Sequence, residues 1–551
     1  MSKFRIIDLH SHPSMKPFNN EGYRAPVDIW EATAADAENY YKLKKRIREV
    51  ITETARDSQA HLREWIKGHV ASSICALHPT ERGWFIRNTR KEGWFRKAIL
   101  KLLLKTDEDL AILGAALTGF PKEKVRKIID MKNDGLNYFE EPTWKEYLYL
   151  KNNQSAPGPW GFSYTIVNDY TEYINTINAG NQLAVILSIE GGHALTNIQK
   201  STWFNTSYND LTEDDKQSFK STLVNNIKAM KGAANSPYRF EHTPFFITMV
   251  HMYNNLLAGH AKSYSSSGGS LPGMDDLLDQ TVGMNDGITE AGCLFINELL
   301  SRDNGRRVLI DVKHLSMKAR TEYYKYVQEK RAKGDHIPII ASHAAVNGFK
   351  NNDPGRHDTF NLDCDSYLSR WSINLSDEDI KAIHDSDGII GLVVHEGRTP
   401  GGKTKKRLNR LKKCIAKGGK NAFEGQQALT ELYCQLILSN IFQIVNAIGD
   451  ASAWQRIAIG SDYDGIMDPF NCYPKVGNFH ELIADIGKFL NDPKPLPIYI
   501  DSELTTISRE QVSQMMYNFT AEDIMQMIAH TNAELFLSKY FTKDYLEGIL
   551  A

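Results

Sequence analysis

FRIIDLHSHP, residues 4–13, decides the fold. Its first half is a near-continuous apolar run, the pattern of a parallel strand buried on both faces. It closes on His10, His12 and Pro13 rather than on a turn alone. Seven more segments share this build: HVASSICALHP from His69, LAVILSIEGGH from Leu183, FFITMVHMYN from Phe245, RVLIDVKHLS from Arg307, IPIIASHAAV from Ile337, DGIIGLVVHEG from Asp387 and RIAIGSDYDG from Arg456. Stretches of helical periodicity lie between them, such as AGCLFINELLSR before the fifth and LSDEDIKAIHDS before the seventh. Strand and helix alternating eight times predict an α/β fold of the (β/α)8, or TIM, barrel type.

Such a barrel needs about 250 residues, and the chain has 551. The excess is expected as insertions into one barrel domain spanning 1–551. The largest is a helical insertion at 79–182, between strands 2 and 3, where WFRKAILKLLLK, LAILGAALTGF and EKVRKIIDM read as short helices and Pro121 suits a first helical position. PGPWGF at 157–162 reads as a loop. SYSSSGGSLPG (263–273) and GGKTKKRLNRLKKCIAKGGK (401–420) follow the fourth and seventh strands, so both are expected over the mouth of the barrel. AEDIMQMIAHTNAELFLSKYF reads as a closing helix.

Charge narrows the function classes. There are 65 Lys+Arg against 67 Asp+Glu, a formal net charge of −2, so the overall field is not that of a nucleic-acid binder. Mean hydropathy is −0.41, and no window reaches about 18 uninterrupted apolar residues, so no membrane span is expected. The first residues carry no signal-peptide pattern. Six cysteines (75, 293, 364, 414, 434 and 472) include no CxxC pair, which speaks against a disulfide framework or a zinc ribbon and sets a reducing, cytoplasmic location as the expectation. A homo-oligomer is compatible with this composition.

In a TIM barrel the C-terminal strand ends converge on one site. Here they carry His10, His12, Glu190, His251, His314, His343 and Asp462. His10 and His12 are spaced i, i+2, which on a strand turns both imidazoles to one side. A lone strand histidine is ordinarily packing. Four imidazoles and two carboxylates on five strand ends, with His251 on a sixth, are too costly to bury without a cation. Six donors exceed the four usual around one zinc, and a bridging carboxylate lets two ions share a site. Two divalent ions are therefore expected, with zinc foremost and manganese, iron or cobalt as alternatives for such nitrogen and oxygen donors.

These motifs resemble the membrane (renal) dipeptidase family of metallopeptidases, in the amidohydrolase superfamily. The matching stretches are DLHSHP, ILSIEGGHAL, ITMVHMYNN, GITEAG, LIDVKHLS, PIIASHAAV, IAIGSDYDGI and AEDIMQMIAHTNAEL, which span residues 6–535 in the family's order; the insertion at 79–182 is outside the match. The resemblance implies a metal-dependent hydrolase that cleaves the amide bond of a dipeptide or similar small molecule with a hydroxide bridging two ions. It implies Glu190 as the shared ligand, His10 and His12 on the first metal, and His314 and His343 on the second. His251 would polarise the substrate carbonyl or steady the oxyanion, and Asp462 would handle the proton. The chain departs from the family twice. His12 stands where an aspartate is expected, and Ile373 stands where an arginine grips the substrate carboxylate. Arg370, and then Arg356, are the nearest candidates to replace that arginine.

Blander readings accompany these. His78, Cys75, His193 and His395 read as packing or supporting groups, and Asp8 as a partner for an imidazole. The 401–420 segment has nine Lys/Arg and no acid, but Leu408, Leu411 and Ile415 at helical spacing predict an amphipathic helix on the rim with a solvated basic face. Two alternatives to a dipeptidase remain: another amidohydrolase activity on an N-acyl amino acid, lactone or ester, and a catalytically altered barrel used as a binding protein.

Overall fold

The computed structural model describes residues 5–23, 28–33, 57–85, 106–130, 135–233, 235–263, 278–353, 358 and 360–548. All eight apolar runs are strands of one closed parallel sheet: β1 (Ile6–Ser11), β2 (Val70–Leu77), β3 (Gln182–Glu190), β4 (Phe246–Thr248), β5 (Leu309–Asp311), β6 (Ile340–Ala344), β7 (Ile389–Leu392) and β8 (Ile457–Ile459). Each strand pairs with the next in the chain, and Asp8 of β1 registers with Ile459 of β8 to close the barrel. The chain is a (β/α)8 barrel.

The strands are short because their apolar residues need only fill the barrel. Ile7, Ile186, Ile247 and Ile310 are inaccessible to solvent. β3 is the longest, at nine residues. Its far end pairs with β4, which at three residues is too short to cover the rest. A further strand, Ser163–Ile166, pairs with the near end through Ser163↔Gln182 to Ile166↔Val185. The segment 79–182 thus contributes to the sheet as well as carrying the helices Asp107–Thr118 and Lys122–Asp130. The latter begins one residue after Pro121. WFRKAILKLLLK and most of SYSSSGGSLPG lie outside the described residues.

Helix starts follow local chemistry. Thr289 caps Glu290–Leu300, and Ser316 caps Met317–Ala332. Ser376 and Asp379 form a reciprocal capping box on Asp377–Asp385. The basic segment is helical over Gly402–Ala416, with Leu408 buried and Leu411 and Ile415 packed on the core, as their spacing requires. Against it lies Lys420–Ile448, long and apolar enough by composition to cross a membrane but mostly buried here as a core helix. The closing segment is helical from Ala521 to Tyr540 with a wider turn at Met527–Thr531.

Candidate metal centre

Every strand-end residue singled out from the sequence reaches one buried centre. Glu190 ends β3, where Gly191, at φ +93°, turns the chain in a conformation that disfavours any side chain. Its Oε1 lies 3.5 Å from His10 Nε2, 3.3 Å from His314 Nε2 and 3.4 Å from His343 Nε2. Its Oε2 lies 3.3 Å from His12 Nε2, 3.7 Å from His251 Nε2 and 3.6 Å from His78 Nδ1. Asp462 Oδ1 stands 3.6 Å from His12 Nε2 and 3.9 Å from His10 Nε2. His314 and Asp462 both adopt left-handed backbone, at φ +67° and +64°. This uncommon conformation is concentrated at functional sites. Gly465 leaves room for Asp462, since a Cβ there would stand 2.2 Å from Asp462 Oδ1.

The hydrogen bonds behind the imidazoles fix which nitrogen faces inward. His12 Nδ1 donates to the Ala76 carbonyl at 3.1 Å, which turns Nε2, the nitrogen left to take a metal, toward the centre. Ser342 Oγ donates to Asp311 Oδ2 at 2.6 Å and accepts from His343 Nδ1 at 2.9 Å and His10 Nδ1 at 3.3 Å. Those two imidazoles therefore also turn Nε2 toward the centre. Asp311 is held in turn by Thr248 Oγ1 and the Ser342 amide.

The donor set fits divalent metal. His10 Nε2 and His12 Nε2 are 3.1 Å apart, and His314 Nε2 and His343 Nε2 are 3.2 Å apart. Two unprotonated imidazole nitrogens repel at that range unless a cation or a proton stands between them. Tetrahedral donors about 2.0–2.1 Å from one ion stand roughly 3.3 Å apart, which is the observed spacing. Glu190 Oε1 is buried without a hydrogen-bond donor, as a ligand oxygen would be. The candidate ligand atoms of His10, Glu190, His343 and Asp462 lie within 4.8 Å of one another, and so do those of His78, Glu190 and His251.

The second group contains residues whose part the sequence did not reveal. His78 donates through Nδ1 to the Glu190 carbonyl at 3.1 Å and packs edge-on against His251, so it walls the centre. Burial and the neighbouring His251 hold its pKa down at about 3. Glu81, four residues beyond the end of β2, carries no signal of its part in the sequence. It accepts from His251 Nδ1 at 2.6 Å and from the amides of Met252 and Tyr253. Burial raises its pKa, but the charge and hydrogen bond of His251 outweigh it and hold the carboxyl at about 2. His193 is a supporting group, donating through Nε2 to the Pro79 carbonyl at 2.7 Å.

Two expectations do not hold. Asp8 supports no imidazole ring. It accepts from the amides of His10 and Ser461 and from Ser461 Oγ, pinning β1 to β8 below the centre. Arg370 does not stand in for the arginine displaced by Ile373. Its guanidinium lies over Phe349, 3.7 Å from Glu503, on the Leu496–Ile507 hairpin, where acidic and aromatic groups offer it a better partner than an apolar pocket wall. Arg356 lies outside the described residues. Ile373 itself is buried with Ala261 and Trp371.

No protein-family model and no curated protein matches the chain. Among solved structures, it is similar to a metallopeptidase described as a dipeptidase, at 12% identity over 98% of this chain and 99% of that one, TM-score 0.44. It is similar also to a metallopeptidase from Rhodobacter sphaeroides liganded with a phosphinate mimic of the dipeptide L-Ala-D-Ala, at 13% identity over 97% and 99%, TM-score 0.44. A third is the probable dipeptidase PvdM from Pseudomonas aeruginosa, at 14% identity over 87% and 88%, TM-score 0.41.

Proposed function

We propose that the chain is a metal-dependent hydrolase of the dipeptidase type, cleaving the amide bond of a dipeptide or similar small substrate. The observation that carries this reading is the set of inward-facing imidazole nitrogens gathered within 3.5 Å of the two oxygens of Glu190: His10, His314 and His343 on Oε1 and His12 on Oε2. The motif resemblance from DLHSHP to AEDIMQMIAHTNAEL supports it.

Two divalent ions, zinc foremost, would be held by His10 and His12 on one side and His314 and His343 on the other, with Glu190 shared. Ions in such a site supply a water nucleophile near neutral pH and polarise a carbonyl oxygen. The protein does the rest. Asp462, with its side chain 14% exposed, is open to substrate and takes the proton of the attacking water, then returns it to the leaving amine. His251, held by Glu81, presents Nε2 to the carbonyl oxygen as charge develops. His78 and the apolar strand ends exclude bulk water.

Metal analysis of the purified protein beside a hydrolysis panel of dipeptides, including D-configured C-terminal residues, tests the reading. Two equivalents of metal with metal-dependent dipeptide cleavage is the expected result. Hydrolysis of N-acyl amino acids, lactones or esters without dipeptide cleavage would instead select the broader amidohydrolase reading, which the apolar Ile373 favours.

A further inference from the structure

Lys313 ends the β5 motif LIDVKH immediately before His314, and it is 2% exposed. Its Nζ is buried and makes no hydrogen bond or ion pair among the described residues. Burial works against its charge, as do the neighbouring cations Arg398 and Arg320, and Asp462 and Asp311 only partly offset them. Both carboxylates are engaged elsewhere, Asp311 by Ser342 and Thr248, and Asp462 by facing His10 and His12.

The surroundings repeat the imbalance. His395, just beyond β7, is half-buried with its Nδ1 buried and unpartnered, and the charges that reach it are all cations: Arg398, Lys313 and Lys405. Lys405 is answered by Asp363 at 3.7 Å, and Arg398 donates to the Ser263 carbonyl. Ala261, Trp371 and Ile373 are buried together as a small apolar wall. The amide of Ala261 donates to the His314 carbonyl at 2.8 Å, which seats that wall beside Lys313 and His314.

An ammonium with three donors and no acceptor is expensive to bury, and structural packing would be served better by Met or Leu. An entering carboxylate removes that cost. We propose that Lys313 binds the free carboxylate of the substrate, making the chain selective for small amides whose leaving group is an amino acid. This rests on the hydrolase reading above. The α-carboxylate of a C-terminal residue lies two bonds from the scissile nitrogen, which suits an anchor adjacent in sequence to a donor of the centre. Lys313 thereby supplies, from β5, the cation that Ile373 does not.

The test compares zinc-loaded wild type, Lys313→Met and Lys313→Arg on Ala-D-Ala and its C-terminal amide. Calorimetry with the reduced-peptide-bond analogue of Ala-D-Ala, as acid and as amide, gives binding without turnover. Wild type is expected to favour acid over amide at least tenfold in kcat/KM and in Kd. Lys313→Met should cut both ratios at least tenfold, through KM rather than kcat, and Lys313→Arg should keep most of the preference. Equal ratios in wild type and Lys313→Met overturn the proposal, as does a wild type that binds the acid analogue no better than the amide. An equal fall in kcat on acid and amide would mean that Lys313 acts through Asp462, and that also overturns it. Should Lys313→Met fail to fold, Lys313→Gln takes its place. Acid-selective binding without hydrolysis would retain Lys313 as the anchor and reject the hydrolase reading, whereas hydrolysis without acid selectivity would do the reverse.

Discussion

His251 and Glu81 form a buried dyad, with His251 Nδ1 donating to Glu81 Oε2 at 2.6 Å while Nε2 of the same ring stands 3.7 Å from Glu190 Oε2. A carboxylate behind an imidazole fixes the tautomer and stabilises the ring as it gains positive character. The same carboxylate also takes the amides of Met252 and Tyr253, so it holds the loop that carries His251.

Glu81→Gln tests this dyad. The amide has one oxygen for three donors, and its NH2 group confronts an N–H. We expect kcat to fall about 10- to 100-fold, the usual range for supporting partners of site histidines. Metal content should stay within error of wild type, because Glu81 touches none of the four imidazoles that face Glu190 most closely. Unchanged kcat in a folded, metal-loaded variant would reduce the dyad to a loop anchor.

Asp462→Asn separates proton transfer from metal binding. Asparagine keeps an oxygen at the same place but cannot carry a proton between water and leaving amine. Hydrolysis should drop by on the order of 10² to 10⁴ fold, with most of the metal retained by elemental analysis. Near wild-type turnover would remove Asp462 from the chemistry. Loss of metal in step with activity would make it a ligand instead.

Lys16→Met tests a clamp between the loops after β1 and β8. Lys16 Nζ lies 2.7 Å from Asp464 Oδ1, both are about 1% exposed, and Asp464 also accepts from the amides of Gln59 and Ala60. Removing one partner leaves a buried, uncompensated carboxylate, at a cost of about 3–5 kcal/mol. The denaturation midpoint should fall accordingly. A shift within the noise would show that Asp464 is satisfied by its amide donors alone.

The barrel was legible because buried parallel strands have no choice of composition. Runs such as LAVILSI and DGIIGLVV read the same in any context. Strand ends were legible for the complementary reason, since imidazoles and carboxylates interrupt those runs where the chain must turn. Glu81 and the Ser342–Asp311 pair were not. Their part depends on contacts 170 and 31 residues apart in the chain, and a glutamate in a loop or a serine in a strand carries no periodicity to betray it. Lys313 was visible within DVKH, but its meaning comes from what does not contact it. The strand Ser163–Ile166 escaped because SYTI is too short to separate from its loop and is required only by the mismatch between β3 and β4.

Metal removal should destabilise the fold, because pairs of ring nitrogens face each other across the centre. In His10 and His12 the outer nitrogens are committed to Ser342 and Ala76, so the two Nε2 atoms meet at 3.1 Å. Glu190 Oε1, buried between His10, His314 and His343, has no donor of its own. A cation answers all of these groups at once. An ion that binds the folded chain alone adds RT ln(1 + [M]/Kd), about 4 kcal/mol at a thousandfold excess over Kd. We therefore expect chelation to lower Tm, and zinc titration to restore it with two equivalents bound per chain. Glu190→Gln has only one oxygen able to accept a cation and should bind at most about one equivalent, with a correspondingly smaller rise in Tm. Wild type that never exceeds one equivalent, or a Glu190→Gln protein that loads fully, would rule out the shared-carboxylate centre. A Tm indifferent to chelator would rule out metal as the partner of these side chains.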